Sequence, residues 1–112
     1  MKYMLLIYSA ETAINEEERQ HCYEESTALT HELNSRGQFL GANPLQPVST
    51  ATTVRIREGK RLVTDGPFAE TKEQLGGYYI LECENIDEAL AYAAKIPAAE
   101  NGSIEVRPVW EM

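Results

Sequence analysis

Two short runs in this chain are apolar on both of their alternating faces. From Tyr3 to Tyr8, the residues Tyr3, Leu5 and Ile7 project one way and Met4, Leu6 and Tyr8 the other, a pattern that predicts a strand covered on both sides. Leu75 to Cys83 repeats it, with Tyr79 and Leu81 on one face and Tyr78 and Ile80 on the other. Asn15, followed three residues later by Glu18, has the spacing of a capping box and predicts a helix running to Ser35 and stopping at Gly37. Its apolar stripe, Cys22, Leu29 and Leu33 with Tyr23 beside it, is thin, so most of that helix should face water.

The segment from Gln38 to Pro47 suits a brief strand at Phe39-Leu40 leading into a loop. Thr52 to Arg57 and Lys60 to Thr64 form a hairpin around Glu58-Gly59, closed by Asp65-Gly66-Pro67. Asn85 and Glu88 repeat the capping spacing, opening a second helix with Ile86, Ala89, Leu90, Ala93 and Ile96 as its apolar face and Pro97 as its end. Ile104, Val106, Val109 and Trp110 mark a last strand, which Pro108 assigns to an edge.

This order predicts one α+β domain over residues 1–112, a ferredoxin-like (split βαβ) antiparallel sheet with two helices and an inserted β-hairpin. The first and third core strands of that fold are central, and they correspond to the two runs that are apolar on both faces. Two helices cover only one face of the sheet. Leaving roughly half a dozen apolar side chains wet on the other would forfeit on the order of 10 kcal/mol, more than a marginally stable domain accepts. A homodimer is expected, burying roughly 1,600 Å² or more through that face.

Composition narrows the classes. Of 112 residues, 43% are hydrophobic and 25% charged, the balance of an ordinary globular protein. The longest apolar run is far below the roughly 20 residues of a membrane span and lacks a signal peptide's cleavage site, so a cytoplasmic protein without membrane attachment is expected. Cys22 and Cys83 are far apart and read as free thiols. A net charge of −8 argues against direct nucleic-acid binding, and the cluster Arg55, Arg57, Lys60 and Arg61 reads as solvated strand faces. No metal is expected, because His21 and His31 stand ten residues apart without a third ligand. No cofactor is expected either, since Gly76-Gly77 enters a strand and lacks the spacing of a dinucleotide loop.

Candidate chemistry concentrates after the hairpin. Asp65 follows a strand and precedes Gly66, so its carboxylate can serve as acid, base or anchor while the backbone beyond approaches a ligand. The alternative is a turn aspartate bonded to its own backbone amides, with Gly66 and Pro67 present for geometry. Phe68 reads as a core anchor of this loop. Glu70, Lys72 and Glu73 are either surface ion pairs or further walls of the same cleft. Arg107 is a candidate for binding a carboxylate, against pairing with Glu105 or Glu111, and Tyr8, Tyr78 and Tyr79 are candidates for placing a phenol in a cleft.

The stretch from Val63 through Asp65-Gly66-Pro67-Phe68 to Tyr79 resembles the signature of the YCII-related, DGPF-domain family. The opening Met1 to Tyr8 and the closing Val106 to Met112 resemble it too. The resemblance implies a dimeric α+β barrel and no established activity. Relatives in the wider group carry a His-Asp pair proposed as an active site; here Ser26 falls near the histidine's position, and neither His21 nor His31 matches it.

Two functions remain open. One is a small-molecule-binding protein or enzyme acting on a small anionic or aromatic compound near Asp65, Gly66, Pro67 and Phe68, with Lys72 or Arg107 neutralising an anionic substrate. The resemblance also implies an alternative, a non-catalytic partner of an extracytoplasmic-function sigma-factor system. A water-depleted pocket containing Asp65 would favour the first, and a hydrated Asp65 loop the second.

Overall fold

A central strand of this chain is stabilised when both of its neighbours pair with it, and the two runs apolar on both faces are the ones so placed. The computed structural model describes residues 1–12 and 15–112. Its strands are β1 (Lys2–Ser9), β2 (Phe39–Pro44), β3 (Thr52–Arg57), β4 (Lys60–Asp65), β5 (Gln74–Glu82) and β6 (Ser103–Pro108). The helices are α1 (Glu16–Ser35) and α2 (Ile86–Ala93). Four strands form one antiparallel sheet in the order β2-β5-β1-β6, which is the ferredoxin-like order, while β3 and β4 pair only with each other. The expected centres are central, and the Pro108-bearing strand is an edge.

Opposed residues of an antiparallel pair share a face. Tyr3 opposes Leu81 and Leu5 opposes Tyr79 on the helix side, where Leu29 and Leu33 of α1 and Ala89, Tyr92 and Ala93 of α2 close the core. Only Leu29 and Leu33 of α1 are buried, in keeping with its thin stripe. The other face carries Met4, Leu6, Tyr8, Tyr78 and Ile80, all partly exposed.

Both helices start at the expected asparagines, whose side chains accept from Glu18 N at 2.8 Å and Glu88 N at 2.9 Å. Each is half a capping box. Glu88 instead accepts from Gln38 Nε2 at 2.6 Å, and Gln38 Oε1 accepts from the Tyr92 hydroxyl at 2.6 Å, tying α2 to the start of β2. Ala89 and Ala93 of the expected α2 face are buried, but Tyr92 joins them while Ile86 and Leu90 are exposed. The helix also stops at Ala93, so Ile96 reaches the core from the turn beyond it. Val109 and Trp110 lie past the last strand and are exposed.

The molecule is flat, 47 × 41 × 18 Å, with a radius of gyration of 15.8 Å, against about 13 Å for a compact chain of this length. The difference comes from the β3–β4 hairpin, which packs substantially on no other element. Glu58 and Gly59 both have positive φ, 51° and 75°, as a two-residue type I′ turn requires. Among the described residues, no helix is long and apolar enough to cross a membrane.

Candidate functional site

Helix α1 leans over the sheet with a row of small hydroxyl residues, and the gap beneath it is a cleft of about 550 Å³, within the range that holds small organic ligands. Its floor is apolar: Ile7, Phe39, Ala42, Tyr79 and Ile96. Phe39 and Tyr79 meet edge to face, 6.5 Å between centroids at 76°, an arrangement that fixes both rings. Gly77 also lines the cleft, and a Cβ there would stand 3.1 Å from the Asn43 carbonyl oxygen, so β2 and β5 approach closely because this residue has no side chain.

The rim is polar: Tyr23, Ser26, Thr27, Thr30 and His31 from α1. The Thr27 hydroxyl donates to Tyr23 O at 2.8 Å and the Thr30 hydroxyl to Ser26 O at 2.9 Å. Their protons are committed to the helix backbone, and their lone pairs remain to accept. Asn43 Nδ2 donates to the Tyr78 hydroxyl at 3.0 Å on the opposite face of the sheet, where the register sets the two residues side by side. The rim therefore favours a ligand that donates hydrogen bonds. Most of α1 does face water as expected, His31 included, but sequence reasoning missed the cleft beside it; the signal available was the run Ser26, Thr27 and Thr30 beside the apolar stripe.

Cys22 borders the same cleft and is half-buried. Burial, reinforced by Glu25, Glu18 and Glu100, pushes its thiol up from the ordinary range. The thiol of buried Cys83 is pushed up likewise by burial and then by Glu88. Because the thiolate is the reactive form, Cys83 is expected to resist alkylation at neutral pH until the protein unfolds, and Cys22 to react slowly. Mass spectrometry after timed iodoacetamide treatment measures both; rapid native labelling of Cys83 would contradict this packing.

The residues singled out from sequence are scattered. Asp65 ends β4, is exposed, and its carboxylate accepts no hydrogen bond among the described residues. It lines none of the three clefts described, and its carboxylate stands in water. Asp65→Asn is accordingly expected to change stability by less than about 0.5 kcal/mol, measurable by thermal melting. Loss of several degrees would restore the turn-holding carboxylate.

Gly66 does have the conformation its loop needs, with φ of 109°, and its N–H donates to Ala51 O at 2.7 Å. Phe68 is not a core anchor: 77% of it is exposed, because the loop is held instead through backbone atoms. Pro67 and Phe68 border a second cleft of about 620 Å³ on the opposite sheet face, with Tyr8 and Glu73, but without Lys72 or Arg107. The segment from Pro67 to Glu73 is not helical, so Glu70, Lys72 and Glu73 do not share a turn of helix. Tyr8 donates to Glu105 at 3.3 Å, and burial followed by the Glu105 charge raises its phenol above the usual range. Arg107 lies across from Met4 on that same face and pairs with neither Glu105 nor Glu111 within 4 Å.

A third hollow, beside the first turns of α1, is walled by Glu17, Glu18, Glu24, Glu25 and Glu100. His21 there pairs with Glu25 at 2.7 Å.

Comparison with known proteins places these features in context. The family described as "YCII-related domain" matches residues 1–112. An uncharacterised protein of Rhizobium meliloti (strain 1021), R00369, is 38% identical over 114 residues, covering 97% of this chain and 92% of its own. Among solved structures, 5-chloro-2-hydroxyhydroquinone dehydrochlorinase (TftG) from Burkholderia phenoliruptrix AC1100, in complex with 2,5-dihydroxybenzoquinone, shares the fold with a TM-score of 0.58. It is 16% identical and is matched over 99% of this chain and 94% of its own.

Proposed function

The chain belongs to the YCII-related domain family, and from that premise and the geometry above we propose that it binds a small hydroxylated aromatic or quinonoid molecule between α1 and the sheet. The observation that carries the reading is the cleft itself, with an aromatic floor at Phe39 and Tyr79 beneath a rim whose Thr27 and Thr30 oxygens are left to accept. A flat ring fits the floor and its phenolic O–H groups fit the rim. His31 is the imidazole on that rim; it can take a proton from a bound phenol, which is the chemistry this arrangement supports beyond binding. Ser26, near the place of the wider family's histidine, lies in the same wall. The fold relative that holds 2,5-dihydroxybenzoquinone adds support from ligand type. The partly exposed sheet face, Met4, Leu6, Tyr8, Tyr78 and Ile80, is proposed as the contact with a second copy.

Calorimetric titration with a panel of catechols, hydroquinones and 2,5-dihydroxybenzoquinone tests the reading. Binding is expected with a preference for ring hydroxyl donors over their methyl ethers, and is expected to slow Cys22 alkylation. Ser26→Phe, which fills the cleft from a half-buried position on the wall of α1, should abolish it without lowering the melting temperature. Equal binding by Ser26→Phe, or no preference for free hydroxyls, would overturn the assignment.

A further inference from the structure

Helix α1 is anchored to the rest of the molecule at one end. From Glu16 to Ala28, about 20 Å of helix, no residue is buried, and Leu29 and Leu33 are the two that reach the core. The wall of the ligand cleft at Cys22, Tyr23, Ser26 and Thr27 therefore belongs to the half without a buried residue, and its position depends on what fixes the other half. Beside the two leucines lies a polar junction with α2. Lys95 Nζ donates to both carboxylate oxygens of Glu32, at 3.0 and 3.4 Å, and stands 5.5 Å from the centroid of the Tyr92 ring. Arg36 completes the junction from α1, with Nη2 3.5 Å from Glu32 Oε1 and Nη1 donating to the Tyr92 hydroxyl at 3.2 Å. Both partners of the central pair adjoin the cleft in sequence: Glu32 follows His31 of the rim, and Lys95 precedes Ile96 of the floor.

We propose that Glu32 and Lys95 form a latch that sets the width of the cleft, holding α1 against the segment that supplies Ile96, Pro97 and Ala98 to the cleft lining. The proposal deepens the binding reading above and rests on the same cleft. Neither residue lines the cleft, so both are positioning residues that act through their neighbours. Among the described residues, Glu32 is the one carboxylate of α1 that pairs with another element, since Glu25 pairs with His21 inside the helix. An ion pair with both partners partly in water shifts an equilibrium by only about 2- to 5-fold. That is enough to bias a helix held by two side chains and too little to lock it, which lets the wall open for a ligand and close over it. Opening would also uncover Cys22, which shares a hollow with Pro97 and Glu100 about 15 Å along the helix from Glu32.

Timed alkylation of the full chain by iodoacetamide, read at Cys22 and Cys83 by mass spectrometry, tests the latch without a ligand. Lys95→Gln is expected to speed labelling of Cys22 about 2- to 5-fold, with buried Cys83 still protected. Removing a cation would by itself favour the neutral thiol and slow the reaction, so acceleration reports movement of the helix. Glu32→Gln should act in the same direction, and the two substitutions combined should give less than the product of their separate effects. Lys95→Arg should keep the wild-type rate, as should Lys60→Gln, which removes the same charge from the distant hairpin turn. Calorimetric titration of Lys95→Gln with catechol should show affinity lowered by a similar factor. Unchanged labelling of Cys22 in Lys95→Gln overturns the latch, because the helix has not moved. Labelling of Cys83 in step with Cys22 overturns it too, because the whole fold has loosened. If Lys95→Gln speeds Cys22 labelling alone while wild type binds no compound of the panel, the latch stands and the binding reading falls. If wild type binds catechol and Lys95→Gln binds it equally well, the binding reading stands and the latch falls.

Discussion

Leu81→Ala is expected to reduce the unfolding free energy by about 2–5 kcal/mol. Leu81 is fully buried at the centre of the sheet, opposite Tyr3 on β1 and Phe39 on β2, where it meets the side chains of both helices' core cluster. Rigid strands on both sides limit collapse of the resulting cavity, which places the cost toward the upper part of that range. Leu62→Ala, on the exposed hairpin, should cost under about 0.5 kcal/mol by comparison. Urea denaturation of the two variants measures the contrast, and similar losses would show that the core is not where the sheet order places it.

Gly102→Ala should cost about 1–3 kcal/mol or more, because overpacking against backbone has no side chain to displace. A Cβ at this position would collide with the Tyr8 carbonyl oxygen and stand 3.1 Å from the Ala98 carbonyl oxygen. Gly102 N also donates to Ala98 O at 2.7 Å, so the turn entering β6 is fixed from both sides. Gly41→Ala is the control: nothing lies within 4 Å of its Cβ and its φ is not positive. Thermal melting should show a clear fall for Gly102→Ala and none of comparable size for Gly41→Ala; equal melting temperatures would contradict the close approach of Gly102 to β1.

These two positions illustrate what sequence discloses. Leu81 belongs to a run apolar on both faces, and that pattern located β1 and β5 in the middle of the sheet before any coordinates. The asparagine caps at Asn15 and Asn85 were legible for the same reason, since three-residue spacing is a local property. Gly102 carries no such mark, because what excludes a side chain there is the carbonyl of a residue distant in sequence. Face assignment on α2 held in part: Ala89, Ala93 and Ile96 are buried as periodicity required, whereas Ile86 and Leu90 are exposed and Tyr92, bonded to Gln38, joins the core.

The candidate site was less legible than the fold. Asp65 drew attention because a strand-end carboxylate before glycine is a common place for chemistry, yet its surroundings depend on tertiary placement, and the structure leaves it in water. The wall of the ligand cleft was hidden in a helix whose polar residues resembled an ordinary solvated face. Only the position of α1 over Phe39 and Tyr79 brings Ser26, Thr27, Thr30 and His31 to the edge of a cleft, Thr27 and His31 remaining exposed there. The motif around Asp65 finds its physical reason in Gly66, whose φ of 109° and bonds to β3 direct the hairpin.

The most direct measurement is amide chemical-shift mapping of the full chain by NMR during titration with 2,5-dihydroxybenzoquinone and with catechol. Saturable shifts are expected at Ser26, Thr27, Thr30 and His31 on α1 and at Phe39, Ala42 and Tyr79 across the cleft, with residues 65–68 unmoved. Shifts centred on Asp65 to Phe68 with α1 silent, or no saturable shift with either compound, would contradict a ligand cleft between α1 and the sheet.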